Sequence, residues 1–320
     1  MSDKENEMSK NANEQAQEPE TEVPEDQLSE THHTIVIDGR ALSYKATAGR
    51  LVLKEEEENE EKESKGTKAK ATIFFVAYTK NPPEDVDNAT YSRERPITFS
   101  FNGGPGSSSV WLHLGLLGPR RVQAMDEEDQ PLPPPYRVTD NQQSLLDETD
   151  LVFIDPVSTG YSRAVQGEKT AQFHGFKKDI ESVGEFIRLY TTRYQRWASP
   201  KFLIGESYGT TRAAGLSGYL QDRHGMYLNG IIFVSTILNF QTARFFAGND
   251  LPYVLFLPTY AATAWYHRRL PDELQADLPR TLEEVEDFAL GEYNAALMKG
   301  ASLPADERER IAEKLARFSG

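Results

Sequence analysis

A glycine–x–serine–x–glycine motif lies between a short apolar run and a helical stretch. Residues 201–204 read KFLI, the motif is Gly205-Glu206-Ser207-Tyr208-Gly209, and residues 210–216 read TTRAAGL. In such a strand–turn–helix setting the serine is held in a strained turn, with its Oγ above a helix N-terminus that favours developing negative charge. The two glycines suit a turn that is too tight for side chains. The motif predicts a nucleophile at Ser207.

A second glycine-rich segment precedes the serine motif and also follows a predicted strand. Residues 96–101 read PITFSF and lead into Asn102-Gly103-Gly104-Pro105-Gly106. Acyl transfer needs N–H donors aimed at the oxyanion, one from the residue after the nucleophile and another from a loop after an earlier strand. Glycine allows that backbone to approach closely because it has no Cβ. An ordinary surface turn is the alternative, but the order of the two segments favours an oxyanion loop.

Three blocks of the chain, in this order, resemble the serine carboxypeptidases of the α/β-hydrolase fold. They are residues 102–109 (NGGPGSSS) with Leu117-Gly118-Pro119, residues 151–162 (LVFIDPVSTGYS) and residues 205–209 (GESYG), within a resemblance that covers about residues 30–265. The resemblance implies a nucleophile, two oxyanion N–H donors and three groups that bind the C-terminal carboxylate of a peptide. In that order these are Ser207; Gly104 and Tyr208; and Asn102, the Gly103 N–H and Glu206.

A carboxylate-binding pocket is what an exopeptidase requires. Its donors must be satisfied by a terminal carboxylate and left unpaired by a continuing chain. Glu206 donates a hydrogen bond only when it is protonated, and a substrate carboxylate beside it favours that form through like-charge repulsion. We therefore predict that peptide hydrolysis favours acidic pH, and equal kcat/KM at about pH 5 and about pH 8 would contradict this. A Glu206 that merely anchors the turn is the alternative.

The chain departs from the family at three positions. The family usually has Trp two residues before the Asn of the glycine-rich loop, where this chain has Ser100. It often has Glu two residues before the Gly of the following Gly-Pro, where this chain has Leu116, and Cys where this chain has Ser107. Two groups that shape the carboxylate pocket therefore differ, which affects the expected substrate preference and not the nucleophile.

The acid and the histidine of a catalytic triad follow the serine in this fold. Only His224 and His267 follow Ser207 in the sequence, each at the end of a predicted helix, where a histidine commonly interacts with terminal carbonyl groups. No strand with an Asp-bearing loop and a late histidine is predicted after residue 240. We therefore expect a C-terminally truncated chain, with the triad Asp and His beyond Gly320 and little or no turnover from these 320 residues alone.

Charge and composition restrict the partners. The net charge is −15, and the first thirty residues contain ten acidic residues against Lys4 and Lys10, which predicts a disordered acidic tail over residues 1–30. No basic face or aromatic platform indicates nucleic acid as a partner. No His or Cys pair has metal-ligand spacing and no phosphate-binding loop is present, so no metal or cofactor is expected. The pattern leaves the oligomeric state open.

Cysteine content and hydrophobicity bear on location. The chain has no cysteine, which favours a bacterial-type member that needs no oxidising compartment. Its N-terminus lacks the apolar region of a signal peptide, and no run of about 18 apolar residues is present. We therefore expect a cytoplasmic protein that does not span a membrane.

Alternating strands and helices predict an α/β-hydrolase: a three-layer sandwich with a mostly parallel sheet, N-terminal antiparallel strands and its last strands missing. Residues 31–240 are expected to form this core, and residues 241–320 the start of a helical cap. Early strands are predicted at 34–37, 41–45 and 50–54, around turns at Asp38-Gly39 and Ala48-Gly49. Further elements are strands at 71–79, 97–101, 151–155, 202–204 and 231–235 and helices at 173–196, 282–299 and 305–318. Asn102, Asp155 and Ser207 then follow strands at their carboxyl ends, where active groups are expected.

The sequence therefore predicts a serine carboxypeptidase that acts on peptides through an acyl-enzyme at Ser207. An esterase or acyltransferase is the nearest alternative, because these reactions share the same acyl-enzyme. A protein that binds peptides or partners without cleaving them is the other alternative. A downstream Asp and His would distinguish the enzymes from the binding protein.

Overall fold

The computed structural model describes residues 24–58, 64–126 and 130–320, which fall into two compact units, Met1–Thr236 and Ile237–Gly320. The division lies close to the predicted boundary at residue 240. Most of the predicted acidic tail lies outside the described residues. Its C-terminal end needs correction, since the first strand begins at Gln27 and includes the last four residues assigned to the tail.

The described residues form ten strands and nine α-helices. The strands are β1 (Gln27–Ile37), β2 (Arg40–Glu58), β3 (Ser64–Lys80), β4 (Ile97–Phe101), β5 (Arg120–Gln123), β6 (Arg137–Asp140), β7 (Asp150–Ile154), β8 (Arg163–Ala164), β9 (Lys201–Glu206) and β10 (Gly230–Val234). The helices are α1 (Asn88–Glu94), α2 (Val110–Leu112), α3 (Phe176–Arg193), α4 (Tyr208–His224), α5 (Leu251–Tyr266), α6 (Asp272–Gln275), α7 (Leu278–Phe288), α8 (Asn294–Lys299) and α9 (Ala305–Ser319). Within the described residues, no helix combines the length and apolarity needed to cross a lipid bilayer.

A mixed sheet forms the core of the first unit. Its strand order is β1-β2-β3-β7-β4-β9-β10, with β8 paired to β3. Strands β7, β4, β9 and β10 are parallel to one another, and the antiparallel strands β1, β2 and β3 extend the sheet beyond β7. The predicted parallel sheet with N-terminal antiparallel strands is therefore present. Strands β5 and β6 form a separate hairpin.

Helices cover both faces of this sheet, which makes three layers. Along β7, Val152 and Ile154 belong to the apolar cluster that includes residues of α3 and α4. Leu151 and Phe153 point to the opposite face and join a cluster with Leu112 of α2. This alternation along a strand buried on both faces is what packing between two helical layers requires.

The early strands are longer than predicted, and the turn expected at Ala48-Gly49 is absent. Strand β2 continues through Gly49, which pairs with Leu28 of β1 and Phe75 of β3. A Cβ on Gly49 would lie 2.1 Å from the carbonyl oxygen of Gln27. This glycine therefore accommodates a close approach of β1 and does not form a turn. The predicted turn at Asp38-Gly39 does separate β1 from β2.

The second unit is helical and has its own core. Helices α5, α7 and α9 contribute Val254, Leu257, Val285, Phe288 and Ile311 to one buried cluster. The π-helical turn Ala289–Tyr293 connects α7 to α8, so the helical stretch predicted at 282–299 is present with an irregular centre. The helix predicted at 305–318 is confirmed as α9.

A buried ion network joins the amino ends of the parallel strands. Asp150, the first residue of β7, accepts hydrogen bonds from Arg95 Nε at 2.7 Å and from Arg196 Nη1 at 2.5 Å. The backbone N–H of Lys80 donates to the same carboxylate at 3.0 Å. All three charged side chains are buried. One carboxylate therefore connects β3 and β7 to the segments that precede β4 and β9.

We expect Asp150→Asn to lower the free energy of unfolding by about 3–5 kcal/mol, because it leaves two buried guanidinium groups without an anion. Asp140→Asn is the matched control, since Asp140 pairs with Arg120 at 2.8 Å where both side chains are about half exposed. That change is expected to cost less than about 1 kcal/mol. Urea denaturation of both variants checks this, and equal losses would contradict a dominant role for the buried network.

A second buried polar contact lies on the face of the sheet that carries Leu151 and Phe153. His113 Nε2 is 2.7 Å from the hydroxyl of Tyr78, and its ring stacks on Phe153 with centroids 4.5 Å apart. Burial lowers the pKa of His113 to about 4 and raises the pKa of Tyr78 above its ordinary value. At neutral pH the imidazole is therefore neutral, and it shares a hydrogen bond with the tyrosine hydroxyl.

We expect this histidine to make the fold acid-sensitive. An unfolded chain binds a proton at His113 below about pH 6.5, whereas the folded chain resists protonation down to about pH 4. Its contribution is therefore fully present above about pH 6.5 and falls by about 2–3 kcal/mol as the pH drops to 4. Denaturant titrations at several pH values should show a shallower pH dependence for His113→Gln, which keeps an acceptor for Tyr78. An unchanged pH dependence in that variant would contradict the assignment.

Candidate active site

The predicted site residues follow three neighbouring parallel strands. Asn102 follows β4, Asp155 follows β7 and Ser207 follows β9, and these strands lie side by side in the order β7-β4-β9. Because the carboxyl ends of parallel strands meet at one edge of a sheet, the three residues share that edge. The sheet register places Phe101 opposite Gly205, one residue before the two segments diverge into loops.

Ser207 occupies a strained turn between β9 and α4. Its backbone has φ 55° and ψ −123°, a conformation that non-glycine residues rarely adopt. The Ser207 N–H donates to the carbonyl of Val234 in β10 at 3.0 Å, which fixes the turn to the neighbouring strand. A Cβ on Gly205 would lie 2.1 Å from the carbonyl oxygen of Gly209. The turn therefore leaves no room for a side chain at its first glycine.

The glycine-rich loop packs directly on this turn. A Cβ on Gly103 would lie 2.4 Å from the backbone nitrogen of Tyr208 and 2.6 Å from the carbonyl oxygen of Glu206. Gly104 has φ 103°, in the region that favours glycine. Tyr208 begins α4, where N–H groups of the first turn favour negative charge. The loop therefore lies against the start of α4, as an oxyanion hole built from both would require.

A cleft of about 510 Å³ lies between the loop and the turn. It is lined by Asn102, Gly104, Ser107, Trp111, Leu112, Gly115, Leu116, Glu206 and Ser207. Asn102 Nδ2 donates to Glu206 Oε2 at 3.0 Å, and Asn102 Oδ1 accepts from the backbone N–H of Leu112 at 3.0 Å. Asn102 is buried, whereas Glu206 and Ser207 are half-buried. The cleft therefore places an amide–carboxyl pair beside the serine.

The positions that depart from the family fall into two environments. Leu116 and Ser107 both line the cleft, and Leu116 gives it an apolar side chain where the family often has Glu. Ser100 is fully buried within β4, and its Oγ has no hydrogen-bond partner among the described residues. Two of the three substitutions therefore change the cleft itself, and the third changes the strand beneath it.

Arg212 is a site-supporting residue that the motifs did not reveal. This buried side chain of α4 donates from Nη1 to the carbonyl of Asn102 at 2.7 Å and from Nε to Asp179 of α3 at 2.8 Å. Its guanidinium lies 5.2 Å from the centroid of the Phe101 ring and 5.1 Å from that of Tyr208. The sequence could have revealed this residue, because Arg212 lies on the same helix face as Ala213, Leu216 and Leu220. A charge on an apolar helix face needs a buried partner.

The histidines of the chain lie elsewhere. His224 ends α4, about 25 Å along the helix from Ser207, and its ring contacts Tyr219. His113 packs beneath the cleft against Tyr78, and His174 Nε2 is 3.2 Å from the hydroxyl of Ser158. His267 caps α5 in the second unit. Among the described residues that line the cleft, none is a histidine.

We expect Gly103→Ala to disrupt the site, because the added methyl group would meet backbone atoms of Tyr208 and Glu206 that cannot move aside cheaply. Overpacking of this kind costs about 1–3 kcal/mol. Gly115→Ala is the matched control, since this cleft residue has open space where its Cβ would be. Thermal unfolding of the two variants checks the difference, and equal midpoints would show that the loop does not pack on the turn this closely.

Comparisons with known proteins agree with this geometry. A family model described as serine carboxypeptidase matches residues 64–287, from the start of β3 nearly to the end of α7. The pheromone-processing carboxypeptidase KEX1 of Saccharomyces cerevisiae is 28% identical over 168 residues, which cover 50% of this chain and 20% of KEX1. The chain thus spans about a fifth of the length of the curated relatives it matches.

Solved structures that match this chain include a hydrolase and an esterase. The peroxisomal alpha-beta-hydrolase Lpx1 of Saccharomyces cerevisiae matches at 12% identity and a TM-score of 0.34, over 82% of this chain and 62% of that one. A ligand-bound form of the rice cell wall degrading esterase LipA of Xanthomonas oryzae matches at 12% identity and a TM-score of 0.34, over 91% and 76%.

The strand order and the position of Ser207 between β9 and α4 are those of the α/β-hydrolase fold. The family match extends over more than half of the chain and includes the glycine-rich loop and the serine turn. This chain belongs to the serine carboxypeptidase family.

Proposed function

We propose that the chain carries the nucleophile of a carboxypeptidase that releases C-terminal residues from peptides through an acyl-enzyme on Ser207. The observation that supports this most directly is the hydrogen bond between Asn102 and Glu206, in the same cleft as Ser207. A nucleophile alone would suit any acyl transfer. A nearby amide–carboxyl pair adds a means of recognising a terminal carboxylate.

In the proposed reaction Ser207 Oγ attacks the scissile carbonyl carbon, and the resulting oxyanion accepts from the N–H groups of Gly104 and Tyr208. Collapse of this intermediate leaves the peptide acyl group on Ser207 and releases the terminal residue as the amine. Water then cleaves the ester and restores the serine. The reaction requires a base that takes the Ser207 proton and passes it to the departing amine. The described residues that line the cleft include no histidine.

The carboxylate of the departing residue is proposed to accept from Asn102 Nδ2, the Gly103 N–H and a protonated Glu206. Asn102 is well suited to this role because its Oδ1 is fixed by the Leu112 N–H, which leaves Nδ2 directed at Glu206. A neutral or continuing peptide chain would not supply the anion that these three donors are proposed to bind. The similarity to KEX1, a carboxypeptidase by name, supports a peptide as the substrate.

The nucleophile is tested by active-site labelling of the natural protein with a fluorophosphonate, followed by assays on a peptide with a free C-terminus. We expect Ser207→Ala to abolish labelling and to reduce kcat by at least about a thousandfold. Ser217→Ala, which changes a serine of α4 that donates to the Ala214 carbonyl, is the matched control and should retain both. Labelling that persists in Ser207→Ala would refute the assignment.

The same preparation distinguishes the alternatives. A carboxypeptidase should lose about a hundredfold or more in kcat/KM when the peptide C-terminus is amidated, and Glu206→Gln should reduce this discrimination at about pH 5. An esterase would cleave simple esters with no preference for a free carboxylate. A binding protein would retain peptides equally in wild type and Ser207→Ala and would form no acyl-enzyme.

A further inference from the structure

Asp155 is a buried carboxylate at the edge of the sheet that the proposed reaction does not use. It follows β7 directly and is 8% exposed. Its Oδ1 accepts from the backbone N–H of Ser109 at 2.9 Å, and the backbone N–H of Tyr161 also donates to the carboxylate. These described partners are backbone N–H groups and not a cation. The carboxylate therefore links two loops instead of neutralising a charge.

The two loops that Asp155 joins lie against each other. A Cβ on Gly160 would be 1.7 Å from Asp155 Oδ2 and 3.2 Å from the Cβ of Ser108. The segment 156–162 therefore packs on the end of the glycine-rich loop, and only a glycine fits beside the carboxylate. The exposed ring of Tyr161 contacts Phe74 at 5.1 Å between centroids, which keeps this segment over the sheet.

The glycine-rich loop is consequently held at both of its ends by charged side chains. Arg212 donates to the Asn102 carbonyl at the start of the loop, and Asp155 accepts from the Ser109 N–H at its end. Gly104 lies between these two points. Burial raises the pKa of Asp155, whereas the hydrogen bonds from the Ser109 and Tyr161 N–H groups lower it, so burying this carboxyl group carries an energetic cost. A cost of this kind is expected where geometry matters for function.

We propose that Asp155 is a positioning residue for the oxyanion hole, which acts by fixing the end of the glycine-rich loop against segment 156–162. This inference rests on the proposed function of Ser207 and Gly104. A displaced Gly104 N–H weakens stabilisation of the oxyanion, which forms only as the reaction proceeds, and leaves binding of the terminal carboxylate largely intact. The loss should therefore appear in kcat and not in KM.

Asp155→Asn tests the proposal, because the amide keeps one acceptor and turns an N–H group toward the second backbone donor. We expect kcat on a free-C-terminal peptide to fall by about 10- to 100-fold, with KM within about threefold of wild type. Amide hydrogen exchange measured by mass spectrometry should accelerate over residues 103–109 and 158–162, and remain unchanged over β3. The natural protein is used throughout.

Ser162→Ala is the matched control. Its hydroxyl donates to the Asp155 carbonyl at 2.6 Å and accepts from the Phe74 N–H at 2.8 Å, so its hydrogen bonds fix the same segment to β3 and not to the glycine-rich loop. This variant should retain kcat within about threefold. Faster exchange in Asp155→Asn with unchanged kcat would overturn the positioning role, as would unchanged exchange over residues 103–109.

Failure of the proposed function has a different signature. If the wild-type protein neither labels at Ser207 nor cleaves the peptide, the carboxypeptidase proposal fails. Exchange over residues 103–109 then decides whether Asp155 holds the loop, with acceleration in Asp155→Asn supporting that role and its absence refuting it.

Discussion

The contact between Arg212 and the Asn102 carbonyl is the one on which the arrangement of the site depends. The guanidinium lies between two aromatic rings, pairs with Asp179 of α3 and ends on the backbone of the glycine-rich loop. Since Arg212 belongs to α4, the helix that begins directly after Ser207, it fixes the distance between the nucleophile and the proposed oxyanion loop. A buried charge of this kind is tolerated because the Asp179 carboxylate and the Asn102 carbonyl both accept hydrogen bonds from it.

Parallel strands explain why residues that are distant in sequence converge. Asn102, Asp155 and Ser207 each follow a strand of the same sheet, and the order β7-β4-β9 makes them neighbours. At the amino ends of these strands, the Asp150 carboxylate accepts hydrogen bonds from both Arg95 and Arg196 and so connects neighbouring strands there. Each end of the parallel sheet is thus joined by charged side chains that reach across strands.

The motifs revealed the parts of the site that depend on local chain geometry. Gly205, Gly103 and Ser207 were predicted because tight turns and close backbone approaches restrict which residues can occupy them. Arg212 and the partners of Asp150 escaped prediction because their roles depend on contacts between segments that only the folded chain brings together. Gly49 shows why a glycine can be misassigned from the sequence. A glycine that permits the close approach of a neighbouring strand has the same sequence signature as one in a turn.

The short helical segment after the glycine-rich loop has two surfaces, one that lines the cleft and one that packs in the core. Trp111, Leu112 and Leu116 form a wall of the cleft, while His113 points away from it, into the apolar layer beneath, and contacts Tyr78. Protonation of His113 at low pH would therefore destabilise the cleft wall, although this histidine has no role in the proposed bond cleavage. In the proposed carboxypeptidase, which would recognise its substrate through a protonated carboxyl group, the stability of this cleft wall would then set the lower pH limit of activity.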